Sequence, residues 1–244
     1  MSVGWNPWHG CERISEGCRN CYVFRIDASH GKTGGSLRLN SDFLLPLKEG
    51  KNGFRIPAGE TVYTCFSSDF LLEEADKWRE DAWRMMRIRS DLQFVFFTKR
   101  ILRLAQVLPK DWGEGYANVT IGCTCENQAR ADERLPTFLS LPIAERMIVC
   151  EPMLSAIDLR PYLDPRLIRS VCAGGESGDG ARVCDFEWIK QLSDACKAAN
   201  VDFHYHQTGA LLQRDGRLYK IPRRLQQLQA KKANVDYHRQ KSFL

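Results

Sequence analysis

No uninterrupted apolar run in the chain approaches the roughly 18 residues of a membrane-spanning helix. No basic stretch followed by an apolar one opens it, so no secretory signal is expected. Neither a low-complexity segment nor a strong linker divides the 244 residues. No G-x-G-x-x-G follows the first predicted strand, which weighs against a dinucleotide-binding Rossmann fold. These absences leave a globular chain expected in the cytoplasm, without a membrane partner. Thiols stay reduced there, so the ten cysteines read as ligands and small core residues, not as a disulfide framework. Hydrophobic residues at 43% and charged residues at 27% are ordinary, and a chain this long buries a core without staples.

Short apolar runs alternate with amphipathic ones. "ETVYTCFSSDF" (60–70), "LQFVFFTKR" (92–100), "ANVTIGCTCEN" (117–127), "ERMIVCEPML" (145–154), "IRSVCAGGESGDGAR" (168–182) and "VDFHYHQTG" (201–209) read as strands running into polar loops. The second run is expected to be buried on both faces. Leu71, Ala75, Trp78, Ala82 and Met85 mark one face of a helix. Two more helices are expected over 128–141 and 185–200, the latter N-capped by Asp185. Strand–helix alternation predicts an α/β fold, a partial (β/α) barrel of about six parallel strands after the first loop. Ser67, Asp69, Lys99, Glu126, Glu151, Glu176 and His206 then fall at the C-terminal strand ends, where barrel active sites lie.

Before these strands, Cys11, Cys18 and Cys21 form C-x6-C-x2-C inside "WNPWHGCERISEGCRNCY" (5–22). Structural zinc takes four protein ligands. His9 offers a fourth, but the segment has no second C-x-x-C partner. An iron–sulfur cubane is normally held by four thiolates; three leave one iron open to substrate or cofactor. Such an iron takes the amino and carboxylate groups of S-adenosylmethionine, and electron transfer to the sulfonium yields a deoxyadenosyl radical. Free or zinc-binding thiols are the plainer alternative. The other seven cysteines sit in apolar strands or on a helix and read as core.

With "SSDF" (67–70), "TKR" (98–100), "GCTCEN" (122–127), "CEPML" (150–154), "GGESGDGAR" (174–182), "HQTG" (206–209) and "RDGRLYKIP" (214–222) in order along the chain, the sequence resembles a phage-encoded three-cysteine family related to the radical S-adenosylmethionine enzymes. The resemblance implies a partial (β/α) barrel, a 4Fe–4S cluster on Cys11, Cys18 and Cys21, S-adenosylmethionine on the open iron, an electron donor such as flavodoxin or ferredoxin, and a bacterial host cytoplasm. Two departures stand out. The cysteine spacing is wider than the C-x3-C-x2-C usual in that superfamily, and "YHQTG" replaces the family's F-K-Q-W-G.

On that resemblance, Tyr22 lies against adenine, or is a core residue starting a helix. Ser67, Ser68 and Asp69 end the strand that binds the cofactor's amino group; Asp69 reads equally as a helix cap. Gly174 and Gly175 allow close approach to the adenosyl group, with Glu176 on the ribose, or form a plain turn. Glu126 and Glu151 are candidates for ribose or substrate. Lys99, Arg100 and Arg182 bring positive charge, or make structural ion pairs. His204 and His206 share a strand face, where His206 donates to a base carbonyl or shuttles a proton. Gln207 joins them as a substrate candidate. Lys99, Glu151 and His206 form the catalytic set.

The net charge is +5, but 210–244 holds nine lysines and arginines against Asp215 and Asp236. This segment is read as a basic extension packing on the 1–209 barrel. Its apolar rhythm, Leu218, Ile221, Leu225 and Leu228, predicts a helix, with Arg223, Arg224, Lys231 and Lys232 on phosphate backbone; a solvated basic helix is the alternative. The expected partner is nucleic acid, phage DNA first. The expected reaction is radical rearrangement of an amino acid attached to the thymine methyl carbon, which on duplex needs an extruded base. Radical modification or repair of tRNA or another nucleotide, and a non-catalytic zinc-stabilised nucleic-acid-binding protein, are the alternatives.

Overall fold

The computed structural model describes residues 2–51 and 53–240; Lys241 of the basic segment lies outside them. Seven strands make one parallel sheet: β1 (Ser2–Trp5), β2 (Thr61–Thr64), β3 (Gln93–Thr98), β4 (Val119–Thr124), β5 (Glu145–Cys150), β6 (Ile168–Gly174) and β7 (Asp202–Gln207). They lie side by side in chain order. The fold is α/β, a partial (β/α) barrel. Six strands follow the cysteine segment as expected, and β1 precedes it. The main helices are α1 (Tyr22–Ser29), α2 (Asp76–Ile88), α3 (Gln128–Ser140), α4 (Phe186–Ala198) and α5 (Arg223–Lys232).

The chain forms two compact units. The first comprises Met1–Ile14, Cys21–Gly122 and Ser140–Glu145. In β3 burial alternates: Phe94 and Phe96 are fully buried, whereas Val95 and Phe97 are only half-buried. The expectation of two buried faces fails there, because helix packing covers one side. Phe96 stacks on Phe70 at 4.5 Å and meets Trp83 of α2 edge-on at 5.9 Å. Each such ring contributes on the order of 1.5–3 kcal/mol by burial. The predicted α2 face is buried except for half-exposed Trp78.

The second unit comprises Ser15–Asn20, Cys123–Leu139 and Arg146–Leu244. Asp185 caps α4 by accepting from the Glu187 amide at 2.9 Å, worth about 1 kcal/mol. After β7 comes an antiparallel hairpin, β8 (Leu211–Arg214) and β9 (Arg217–Lys220). Its turn is Asp215-Gly216, with φ +51° and +72°, the signature of a two-residue turn with both φ positive. Leu218 therefore lies on an exposed strand, not on the expected helix. Helix α5 buries Gln226 and Ala230 while Leu228 stays exposed. Tyr237 closes the edge of β7 through reciprocal bonds with Phe203, 2.8 and 3.0 Å, so no free ladder is left at that point.

Candidate functional site

In the first unit, Arg100 sets the environment of half-buried Cys11. Its Nη1 stands 3.9 Å from Cys11 Sγ, and its Nη2 donates to the Glu12 carbonyl at 2.8 Å. Asp69 Oδ2 holds the guanidinium at 3.4 Å. Burial works against the Arg100 charge, but Asp69 and the Cys11 sulfur keep its pKa above the usual arginine value. The Asp69 carboxylate also accepts from Thr98 Oγ1 at 2.7 Å and from the amides of Leu71 and Lys99 at 2.9 and 3.0 Å. It is buried and engaged inside the protein, as a cap-like anchor rather than an outward-facing carboxylate. Lys99 takes part through its amide.

The two serines of "SSDF" grip the start of the cysteine segment. Ser67 Oγ donates to the Trp8 carbonyl at 3.0 Å, and Ser68 Oγ donates to the Gly10 carbonyl. His9 Nε2 lies 2.8–2.9 Å from both oxygens of buried Asp27, so that nitrogen is already engaged. Cys21 is half-buried at the N-terminus of α1. Tyr22 is the first residue of α1 and donates its hydroxyl to the Phe66 carbonyl; at 41% exposure it is not core. A cleft of about 570 Å³ lined by Cys11, Arg13, Phe24, Lys32 and Gly34 opens beside the first cysteine.

In the second unit, the turn Glu16–Cys18 sits on fully buried Glu126. Glu126 Oε1 accepts from Ser15 Oγ and, at 3.2 Å, from the Gly17 amide. Its Oε2 accepts from Arg134 Nη1 at 2.8 Å. A Cβ on Gly17 would stand 2.9 Å from Glu126 Oε1, so a side chain there would have to displace the carboxylate. Arg130 clamps Glu16 with two 3.0 Å bonds and holds its carboxyl at about 2. Glu176 accepts from Asn20 Nδ2 at 2.9 Å and from the Arg182 amide and Nε at 2.9 Å each. Burial would raise its pKa, but Arg182 and Asn20 hold it below the usual carboxylate range. Arg182 Nη1 also donates to the Glu16 carbonyl at 2.9 Å. Glu126 and Glu176, expected on ribose or substrate and on ribose respectively, are both buried and hydrogen-bonded within the protein, as a carboxylate this buried needs partners. Gly175 is pressed against the Thr208 carbonyl, so protein backbone already accounts for that glycine.

Glu151 and His206 come together as one pair. His206 Nδ1 lies 2.9 and 3.1 Å from the Glu151 oxygens, and Gln207 Nε2 donates to the same carboxylate. The bond to Glu151 raises the His206 pKa against the opposing effect of burial. His206 Nε2 meets Gln227 of α5 at 3.2 Å. His204 shares this face, its ring 6.2 Å from that of His206, and pairs with Asp236 at 3.0 Å. Arg223, Arg224, Lys231 and Lys232 are exposed on α5.

The remaining seven cysteines are buried. Burial pushes the Cys123, Cys150 and Cys172 thiols well up, and those of Cys184 and Cys196 to about 12, which keeps them protonated and inert. Among the described residues, no three His, Cys, Asp or Glu side chains form a group able to hold a metal ion, and no helix is long and apolar enough to cross a membrane. Sequence reasoning missed Asn20 and Ser15, whose partners Glu176 and Glu126 lie far along the chain, and Arg134, which reaches back from α3 to Glu126. No curated protein and no solved structure matches the chain significantly. A family match does extend over residues 1–241, and by it the chain belongs to the family described as protein of unknown function (DUF5131).

Proposed function

We propose that the chain is a radical S-adenosylmethionine enzyme acting on a nucleic-acid base, with a 4Fe–4S cluster on Cys11, Cys18 and Cys21. One observation carries this reading. Each unit commits buried polar side chains to its own part of the cysteine segment: Arg100 to Cys11, and Glu126 to the turn that ends in Cys18. By donor type the set suits a cubane, since three thiols within eleven residues are one short of the usual four, although their side chains are not gathered around one point in this structure. When bound, the cluster and S-adenosylmethionine supply a carbon-centred radical.

The chain's own groups then have distinct tasks. Arg100 places positive charge beside a ligand sulfur. Glu126, Ser15 and Gly17 fix the turn. His206, oriented by Glu151, holds or moves a proton at Nε2. The cations of α5 bind phosphate. The favoured reaction is rearrangement of an aminoacyl-thymine adduct in phage DNA, in a bacterial cytoplasm with a flavodoxin- or ferredoxin-type donor. Anaerobic incubation with S-adenosylmethionine, reductant and phage DNA, followed by nucleoside mass spectrometry, tests the reading. A changed thymine derivative is expected; unchanged nucleosides with no cleavage of the cofactor would falsify it.

A further inference from the structure

We propose that Tyr63, Phe66 and Phe97 form a stacking site for a nucleobase, with Lys99 beside it for the attached phosphate. The inference rests on the nucleic-acid part of the proposed function, and all four residues belong to the first unit. Many large rings of that unit are core: Trp5, Trp8, Phe70, Trp83, Phe94 and Phe96 are at most 1% exposed. Tyr63 and Phe66 are instead 40% and 38% exposed, as Tyr22 and Phe54 also are at 41% and 44%. In register, Tyr63 on β2 faces Val95 on β3. Phe97 lies two residues further along the same face, opposite the one α2 covers. Strand alternation continues that face toward Lys99.

Phe66 should not be there by alternation. A regular strand would turn Cys65 to the face of Tyr63 and Phe66 away from it. Instead Cys65 takes φ +66° and is buried, which returns Phe66 to the side of Tyr63. A left-handed non-glycine residue costs on the order of 1–3 kcal/mol, and such strain clusters at ligand sites. The result is Phe66 set edge-on between Tyr63, 5.6 Å and 76° away, and Phe97, 5.3 Å and 78° away. The occupant follows from the chemistry. An aliphatic partner has no use for Lys99, and an acidic peptide has none for three rings. A flat π-system carrying an anion uses both, and a base with its phosphate is that combination.

Fluorescence anisotropy with a short single-stranded oligonucleotide tests the site, with each variant's fold checked by thermal melting. Phe97→Ala and Tyr63→Ala are each expected to weaken binding about 5- to 150-fold, the range of one lost base–aromatic stack. Phe97→Tyr should retain it. The salt slope should not change in the ring variants, because rings touch no phosphate, whereas Lys99→Gln should lower it by about one. If Phe97→Ala does not fold, Tyr63→Ala, already at the surface, decides. Affinities within about twofold of wild type overturn the proposal, as does a wild-type chain that binds no oligonucleotide. Loss of S-adenosylmethionine binding with oligonucleotide affinity intact reassigns the rings to the cofactor's adenine. Loss of self-association alone reassigns them to contact between copies. The measurement needs no cluster, so a chain without iron defeats the radical chemistry and leaves this result readable by itself.

Discussion

The part of the cysteine segment in the first unit is managed by a cation, and the part in the second by an anion. Arg100 brings a guanidinium to the Cys11 sulfur itself, 3.9 Å away. Glu126 instead meets a hydroxyl, an amide and a guanidinium, fixing the backbone of the turn. A charge beside a ligand sulfur acts on what the sulfur binds. A buried carboxylate under a turn acts on shape, and its loss is felt as stability. The two arrangements should therefore fail differently when broken.

The largest effect separates the proposed ligands from core. Replacing any one of Cys11, Cys18 or Cys21 with Ala should abolish the visible absorbance of the reconstituted cluster, whereas Cys123→Ala or Cys172→Ala should largely keep it. Next, the combined reversal Arg223→Glu, Arg224→Glu, Lys231→Glu and Lys232→Glu should weaken DNA binding and flatten a log–log salt slope of roughly −3 to −4. An unchanged slope would mark α5 as a solvated helix. Glu126→Ala should cost about 3–5 kcal/mol in chemical denaturation, because it strands buried Arg134. Arg100→Gln should instead leave iron content near wild type and lower the cluster's midpoint potential, read by EPR-monitored titration. If Glu126→Ala moves the potential and Arg100→Gln the stability, the contrast between the two units is inverted.

The smallest effect is a pH dependence. The folded-state pKa of His206 is raised by Glu151. Its contribution to stability is thus fully present below the unfolded value of about 6.5 and lost as pH rises through the folded value. With 41% of the side chain exposed, solvent screens the pair. His206→Gln should therefore lose slightly more stability at about pH 5 than at about pH 9. Equal losses at both would mean the bond to Glu151 does not favour the charged imidazole.

The parallel sheet was legible because its strands are short apolar runs between helical periods, and Asp185 announced α4. Strand β1 escaped, since four residues containing a glycine carry no period. The rhythm Leu218, Ile221, Leu225 and Leu228 predicts a helix, which does form over Arg223–Lys232, but Leu218 belongs to the hairpin that Asp215-Gly216 signals in plain view. The candidate positions do fall at or just beyond strand ends, but their orientation was not legible. Asp69, Glu126 and Glu176 look outward on paper; partners as distant as Asn20 and Ser15 turn the last two inward. The grouping of Tyr63, Phe66 and Phe97 depends on the left-handed backbone at Cys65, which no local pattern reveals.

The most direct test is anaerobic reconstitution of the full chain with iron and sulfide, followed by metal analysis and EPR of the reduced protein with and without S-adenosylmethionine. The account predicts about four irons and four sulfides per chain and a reduced-cluster signal that changes when S-adenosylmethionine is added. Stoichiometric zinc, with no iron and no response to S-adenosylmethionine, would contradict it.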